Sequence, residues 1–190
     1  MKKIGILGGT FNPPHIGHLI IANEVKHALG LDEVRLMPTA TPPHKASADT
    51  VTAVHRLRMV ELAVEGIDGL KVSPFELKRG GVSYTYDSMK VLTEQEPMRQ
   101  FFFIIGADMI DALPTWYRID DLVKLVQFVG VNRPGYKGLS EYPVELLDTP
   151  QVDLSSSVIR QRFKAGKTVQ LLVPKTVEAY IRQEGLYEFD

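Results

Sequence analysis

Apolar runs of strand length alternate along this chain with segments whose apolar residues recur near every 3.6 positions. That alternation constrains the fold more than any other feature, because it is the pattern of parallel strands joined by helices. Strands are predicted at 3–7, 33–37, 70–75, 101–105 and 126–132, and helices at 17–29, 52–65, 85–95, 108–113, 116–124, 155–165 and 174–184. Gly30, Gly66, Gly166 and Gly185 follow four of these helices as C′ residues, and Pro174 stands at an expected N1. The prediction is an α/β fold: a doubly wound, Rossmann-like parallel sheet in a single domain, 1–190, with a small helical part at the C-terminus. Such sheets bind ligands past the carboxyl ends of their strands, where the strand order reverses.

Composition narrows the classes of function. A chain of 190 residues that is 44% hydrophobic can bury one stable core. The absence of cysteine excludes a disulfide framework, a zinc ribbon, an iron–sulfur centre and a thiol nucleophile. With 22 basic against 23 acidic residues there is no broad basic surface, so neither nucleic acid nor membrane is an expected partner. The run Phe101–Ile105 is far short of the ~20 apolar residues of a membrane span. Ile4–Leu7 is too short for a signal-peptide core and reads as a strand, so a soluble, cytoplasmic protein is expected. A homo-oligomer stays open.

The densest signal is Gly8-Gly9-Thr10-Phe11-Asn12-Pro13-Pro14-His15-Ile16-Gly17-His18, which leaves a strand and opens a helix. Glycines let backbone approach a ligand, and first-turn N–H groups lack acceptors within the helix, which together make a phosphate site. His15 and His18, three residues apart, can turn both rings to one anion, where a protonated imidazole would gain most. The alternatives are two surface histidines on a loop, or a metal pair, for which no third ligand recurs at tight spacing. The string is not GxGxxG, and Gly166-Lys167-Thr168 follows a helix where a Walker lysine should open one, so it reads as a C-cap. All five histidines lie in the first 55 residues, but His44 and His55 have no assigned role, and His27, on a helix with a polar neighbour, reads as solvent-facing.

His15 to His18 spells HIGH, a signature of class I aminoacyl-tRNA synthetases, yet the chain has no KMSKS string and is too short for a tRNA-binding body. Three segments together, GGTFNPPHIGH, Gly106-Ala107-Asp108 and Ser155-Ser156-Ser157-Val158-Ile159-Arg160, resemble the bacterial nicotinate-nucleotide adenylyltransferases over nearly the whole chain. Asn12 is a departure, since many members carry Asp there. The resemblance implies transfer of AMP from ATP to nicotinate mononucleotide, with release of pyrophosphate, as a step of NAD biosynthesis. It implies Mg2+ arriving with ATP and no dedicated protein metal site. Small-molecule substrates are the expected partners. Runner-up readings are another mononucleotide or phosphopantetheine adenylyltransferase, and a non-catalytic nucleotide sensor.

Under that resemblance His15 and His18 face the ATP phosphates, with His18 at the transferred group. Gly8, Gly9, Thr10 and Phe11 lie on the same side. Ser155, Ser156, Ser157 and Arg160 supply the second half of the cradle, the alternative being a serine N-cap with a solvated basic face. Gly106 and Asp108 end an apolar strand, where a carboxylate commonly accepts from ribose hydroxyls; Asp108 could equally cap the next helix. Lys45 and Arg133 are placed near substrate phosphates by the resemblance alone. Trp116 would stack on the nicotinate ring, a cation–π contact of about 0.5–2 kcal/mol. Thr85 and the amides around it and Tyr117 would receive the carboxylate. An aromatic cluster of Trp116 with Tyr84 and Tyr86 is the structural alternative.

Overall fold

The computed structural model describes residues 1–41, 51–131 and 140–187. In chain order the elements are β1 (Lys2–Gly9), α1 (Ile16–Ala28), β2 (Glu33–Pro38), α2 (Ala53–Val64), β3 (Leu70–Val72), α3 (Phe75–Arg79) and α4 (Thr85–Gln95). They continue with β4 (Arg99–Gly106), α5 (Ala107–Ile110), a 3-10 turn at Leu113–Thr115, α6 (Ile119–Leu125), β5 (Gln127–Val131), β6 (Val144–Leu147), α7 (Ser156–Lys164) and α8 (Lys175–Gln183). The strands form one parallel sheet in the order β3-β2-β1-β4-β5-β6. The fold is therefore the expected doubly wound one. Its order reverses between β1 and β4, which puts the crevice of such sheets beyond Gly9 and Gly106.

Helices cover both faces, so the central strands read as unbroken apolar runs. On β4, Phe101, Phe103 and Ile105 pack with Ile4 and Ile6 against α4 and α6, whereas Phe102 and Ile104 turn to the other face, against Ala22 and Val25 of α1 and Val60 and Val64 of α2. Each such side chain contributes roughly 1.5–3 kcal/mol of burial. The C-terminal helical part has a cluster of its own. Ile159 and Phe163 of α7 and Val177 and Ile181 of α8 pack on Met59 and Ala63 of α2, with Tyr187 beneath them. His55 and Tyr180 join α2 to α8 by a 2.8 Å hydrogen bond.

Two elements are absent from the sequence reading. The strand expected over 70–75 stops at Val72 because Pro74 intervenes, and residues 75–79 form the short helix α3. The half-exposed edge strand β6 has too little apolar alternation to signal itself. The helix expected from 116 starts only at Ile119, after Arg118 in a left-handed conformation (φ 53°), and Thr115 caps nothing there: its hydroxyl returns to the Ala112 carbonyl at 2.7 Å. Pro174 sits one position before α8. Gly166 does close α7, at φ 60°, with Lys167 N–H donating to the Arg162 carbonyl, which retires the Walker-like triplet. No helix among the described residues is long and apolar enough to cross a membrane.

Candidate active site

A cleft of about 290 Å³ opens at the reversal point, between the starts of α1 and α7. His15, Gly17 and His18 form one wall, Ser155 and Ser156 another, Gly106 and Val131 the strand-end floor, and the segment from Thr149 to Leu154 closes the side. Thus the two predicted helix starts, 140 residues apart in sequence (15 to 155), do meet.

The first wall is built by backbone. His15 N–H donates to His18 Nδ1 at 3.1 Å. Nδ1 is then an acceptor, so the proton of the neutral ring sits on Nε2. The His15 and His18 rings stack with centroids 3.7 Å apart, and Phe11 meets His18 edge-on at 4.9 Å. Gly17 leaves room for the stack, because a Cβ there would press on the His15 ring, 3.0 Å from its Nδ1. Burial lowers the His15 pKa to about 4, and burial together with the charge of His15 holds His18 well below the usual histidine range. The expectation of a protonated imidazole is thus corrected for the ligand-free site: both rings are neutral at pH 7, and His18 carries its proton on Nε2.

That burial has a consequence for stability. A histidine whose folded pKa lies below its unfolded value of about 6.5 binds more protons when unfolded, so its effect is nil above that pH and destabilising as pH falls towards the folded pKa. For His15 the window is 6.5 down to about 4. At pH 5 it should cost about 2 kcal/mol. Glu33, whose pKa is depressed by Lys71 and Arg35, and Glu96, whose pKa is depressed by Arg35, lose their contribution as pH falls through the unfolded carboxylate range, so they contribute little to the change between pH 7 and pH 5. Thermal melts of the ligand-free protein at pH 7 and pH 5 should show the loss, and His15→Asn should remove the share due to His15 while leaving that of buried His18. An unchanged acid dependence in that variant would contradict neutral burial.

The amides are less available than the sequence suggests. Ile16 N–H donates to the Leu172 carbonyl at 3.0 Å, delivered by a turn in which Leu171 adopts φ 66°. The first turn of α1 is therefore held by the C-terminal segment. At the second wall, Ser155 caps α7 by accepting from Val158 N–H at 3.3 Å, and Ser156 Oγ donates to the Pro13 carbonyl at 2.8 Å. Ser157 Oγ accepts from Arg160, whose other terminal nitrogen donates to the Asn12 carbonyl at 2.9 Å. The serine cap and the basic residue are thus both present, and they tie α7 to the 10–13 turn. The amides of Ser156 and Ser157 occupy first-turn positions without a helical acceptor.

Asn12 is a structural hub. Only 3% exposed, it accepts from the Tyr187 hydroxyl at 2.7 Å and from Val51 N–H at 3.3 Å. Burial pushes the Tyr187 phenol well up, against the pull of Arg160 and Arg56. Phe11 is 2% exposed and supports Gly9 and His18 from beneath; Gly8, Gly9 and Thr10 lead into that turn. Asp108 is exposed and folds back over the strand end, so near Gly106 that a Cβ there would lie 2.6 Å from its Oδ1; no side-chain cap of α5 is made.

The predicted ring site lies along β4 and α4. Trp116 is half-buried and packs edge-on to Phe103 and Phe128, each 6.0 and 5.9 Å away. Tyr117, exposed, meets Tyr84 at 4.9 Å and Tyr86 at 6.1 Å, and Arg118 covers Tyr86 at 4.2 Å. The aromatic cluster exists, but it gathers on Tyr117, leaving Trp116 on the core edge. Thr85 is the first residue of α4. Lys45 and Arg133, with His44, lie outside the described residues.

Sequence reasoning missed Arg56, Tyr187, Leu172 and the Thr149 wall. Thr149 Oγ1 is buried at the cleft with no partner among the described residues. Arg56, 2% exposed, donates to the carbonyls of Thr10, Thr39 and Ala40 at 3.0, 2.7 and 3.2 Å. No group of three or more metal-ligating side chains occurs among the described residues.

The sequence matches the cytidylyltransferase-like family model over residues 6–162. It is 57% identical over 187 residues to a Streptococcus pyogenes serotype M1 protein named "Probable nicotinate-nucleotide adenylyltransferase", covering 98% of this chain and 89% of that one. A protein of the same name from Streptococcus pneumoniae serotype 4 is 55% identical over 186 residues, with the same coverage. Solved structures of Plasmodium falciparum nicotinic acid mononucleotide adenylyltransferase, complexed with NaAD or with APC, align with TM-scores of 0.82 and 0.81. Both alignments cover 100% of this chain and 99% of the other at 21% identity, a likeness of fold.

Proposed function

The chain belongs to the cytidylyltransferase-like family, among its nicotinate-nucleotide adenylyltransferases, and from that premise we propose that it transfers the adenylyl group of ATP to nicotinate mononucleotide. The products are deamido-NAD and pyrophosphate, and the step belongs to NAD biosynthesis in the cytoplasm, carried out by residues 1–190 as one nucleotidyltransferase domain. The observation that carries the reading is His18: a neutral imidazole with its proton on Nε2, at a cleft between two helix starts.

The acceptor needs no general base. The second pKa of a phosphate monoester is near ~6, so its attacking oxygen is already anionic at neutral pH. The protein must hold two polyanions in line and stabilise charge on the α-phosphoryl oxygens. His18 Nε2–H donates to an α-phosphoryl oxygen. His15, Gly17 and the first-turn amides of α7 hold the remaining phosphate oxygens, and an anion in the cleft would raise both imidazole pKa values. Arg160 adds charge beside that cradle, Gly106 gives the ribose room at the strand end, and Asp108 accepts from its hydroxyls. Lys45 and Arg133 are assigned to the mononucleotide phosphate. Mg2+ carried by ATP would neutralise charge on the leaving phosphates. The donor set suits an ion carried by ATP and water, since magnesium usually keeps its waters and takes one or two carboxylates, and Asp108 lies beside the floor residue Gly106.

For the ring, Trp116 offers an indole face and Thr85 a hydroxyl with open helix-start amides for the carboxylate. Trp116→Ala should raise KM for the mononucleotide about 2–30-fold, the equivalent of roughly 0.5–2 kcal/mol, with KM for ATP little changed. Steady-state kinetics with each substrate varied in turn decide it; an effect confined to ATP would contradict stacking.

Pyrophosphate release with ATP and magnesium tests the whole reading when nicotinate mononucleotide, its amide and phosphopantetheine are offered separately. The first should be turned over fastest. Best turnover of phosphopantetheine, or of none, would overturn it, the latter in favour of a nucleotide sensor.

A further inference from the structure

The buried face of α2 is apolar at Met59, Val60, Ala63 and Val64, and Arg56 breaks it with a cation. Burying a charge merely to pack a helix is unfavourable against an apolar side chain of similar size. The guanidinium has no carboxylate partner among the described residues, and desolvation lowers its pKa. Its acceptors are three main-chain carbonyls on two different segments. Thr10 leaves β1 towards His15, whereas Thr39 and Ala40 leave β2 towards the 42–50 segment that contains Lys45.

We propose that Arg56 is a positioning residue that fixes the turn at Thr10 and the end of β2 at Thr39 and Ala40 in one frame, so that the two substrates' phosphates meet in line. The inference rests on the adenylyl-transfer reading above. A planar fork can reach both segments at once, with NH1 shared between Thr10 and Thr39 and NH2 on Ala40. A lysine ammonium keeps the charge but not that spread. Arg56 touches no substrate in this scheme; it acts through the carbonyls it holds.

The test compares wild type, Arg56→Lys and Arg56→Gln with Val177→Ala, a cavity variant in the cluster between α8 and α2 that serves as a stability control. Melting temperature, the separate dissociation constants of ATP and nicotinate mononucleotide, and kcat are measured for each. Arg56→Lys should lose at least 10-fold in kcat, on the scale of 10²-fold per ångström of misplacement. Its separate dissociation constants should change much less, and Arg56→Gln should be worse. Val177→Ala should lower the melting temperature and leave kcat at 25 °C intact. The proposal is overturned if folded Arg56→Lys has wild-type kcat, if the loss lies only in the dissociation constants, or if both Arg56 variants fail to fold, which would make the residue purely structural. A wild type without turnover sinks the adenylyl-transfer reading itself, whereas an active wild type with a normal Arg56→Lys sinks this inference alone.

Discussion

Replacing His18 by alanine should lower kcat by at least ~10²-fold, within the 10²–10⁴ range of a positioned proton or hydrogen-bond donor. The loss should fall on kcat more than on KM, because the Nε2 proton strengthens its bond as negative charge gathers on the α-phosphoryl oxygens. Alanine also removes the acceptor of His15 N–H, so some stability is lost: an amide left without a partner costs about 1–3 kcal/mol where water cannot reach it. A circular-dichroism melt separates the two effects. His18→Asn, which offers both an acceptor and a donor, should recover part of the stability and part of kcat. Near-normal kcat in a folded alanine variant would remove His18 from the chemistry.

Arg160→Ala should reduce kcat/KM for ATP on the order of 10²-fold. Two losses combine: the cation beside the phosphates, and the charge-assisted bond that fixes the Asn12 carbonyl, a class worth about 1.5–3 kcal/mol where each 1.4 kcal/mol is tenfold. Arg160→Lys restores the charge but not the fork that spans Asn12 and Ser157, so its recovery should be partial. KM for the mononucleotide should move little. Equal losses towards both substrates would mean that Arg160 serves the turn alone.

These expectations show how far the sequence reached. Period and punctuation located the sheet, because strands covered on both faces must be apolar throughout, and that leaves a clear mark in Phe101–Ile105. The HIGH string and the serine run were legible because helix starts recruit a narrow set of residue types. The bonds that join them were not. Ile16 to Leu172, Ser156 to Pro13 and Arg56 to Thr10 all end on backbone carbonyls, which every residue has, so no side-chain pattern announces them. Tyr187 reaches Asn12 across 175 positions, a tertiary contact beyond any local period. The protonation of the histidines was misjudged for a related reason: stacking and burial come from the folded turn, and the sequence shows only that two rings are near.

The central claim is a single direct transfer of the adenylyl group at the cleft between α1 and α7. ATP radiolabelled at its α-phosphate, mixed with excess enzyme, magnesium and nicotinate mononucleotide and then quenched in acid, follows that group through one turnover. The label should move from ATP into deamido-NAD at the rate of pyrophosphate release, with none on protein, and only when the mononucleotide is present. Label trapped on the protein, or label remaining in ATP while the mononucleotide is unused, would contradict it.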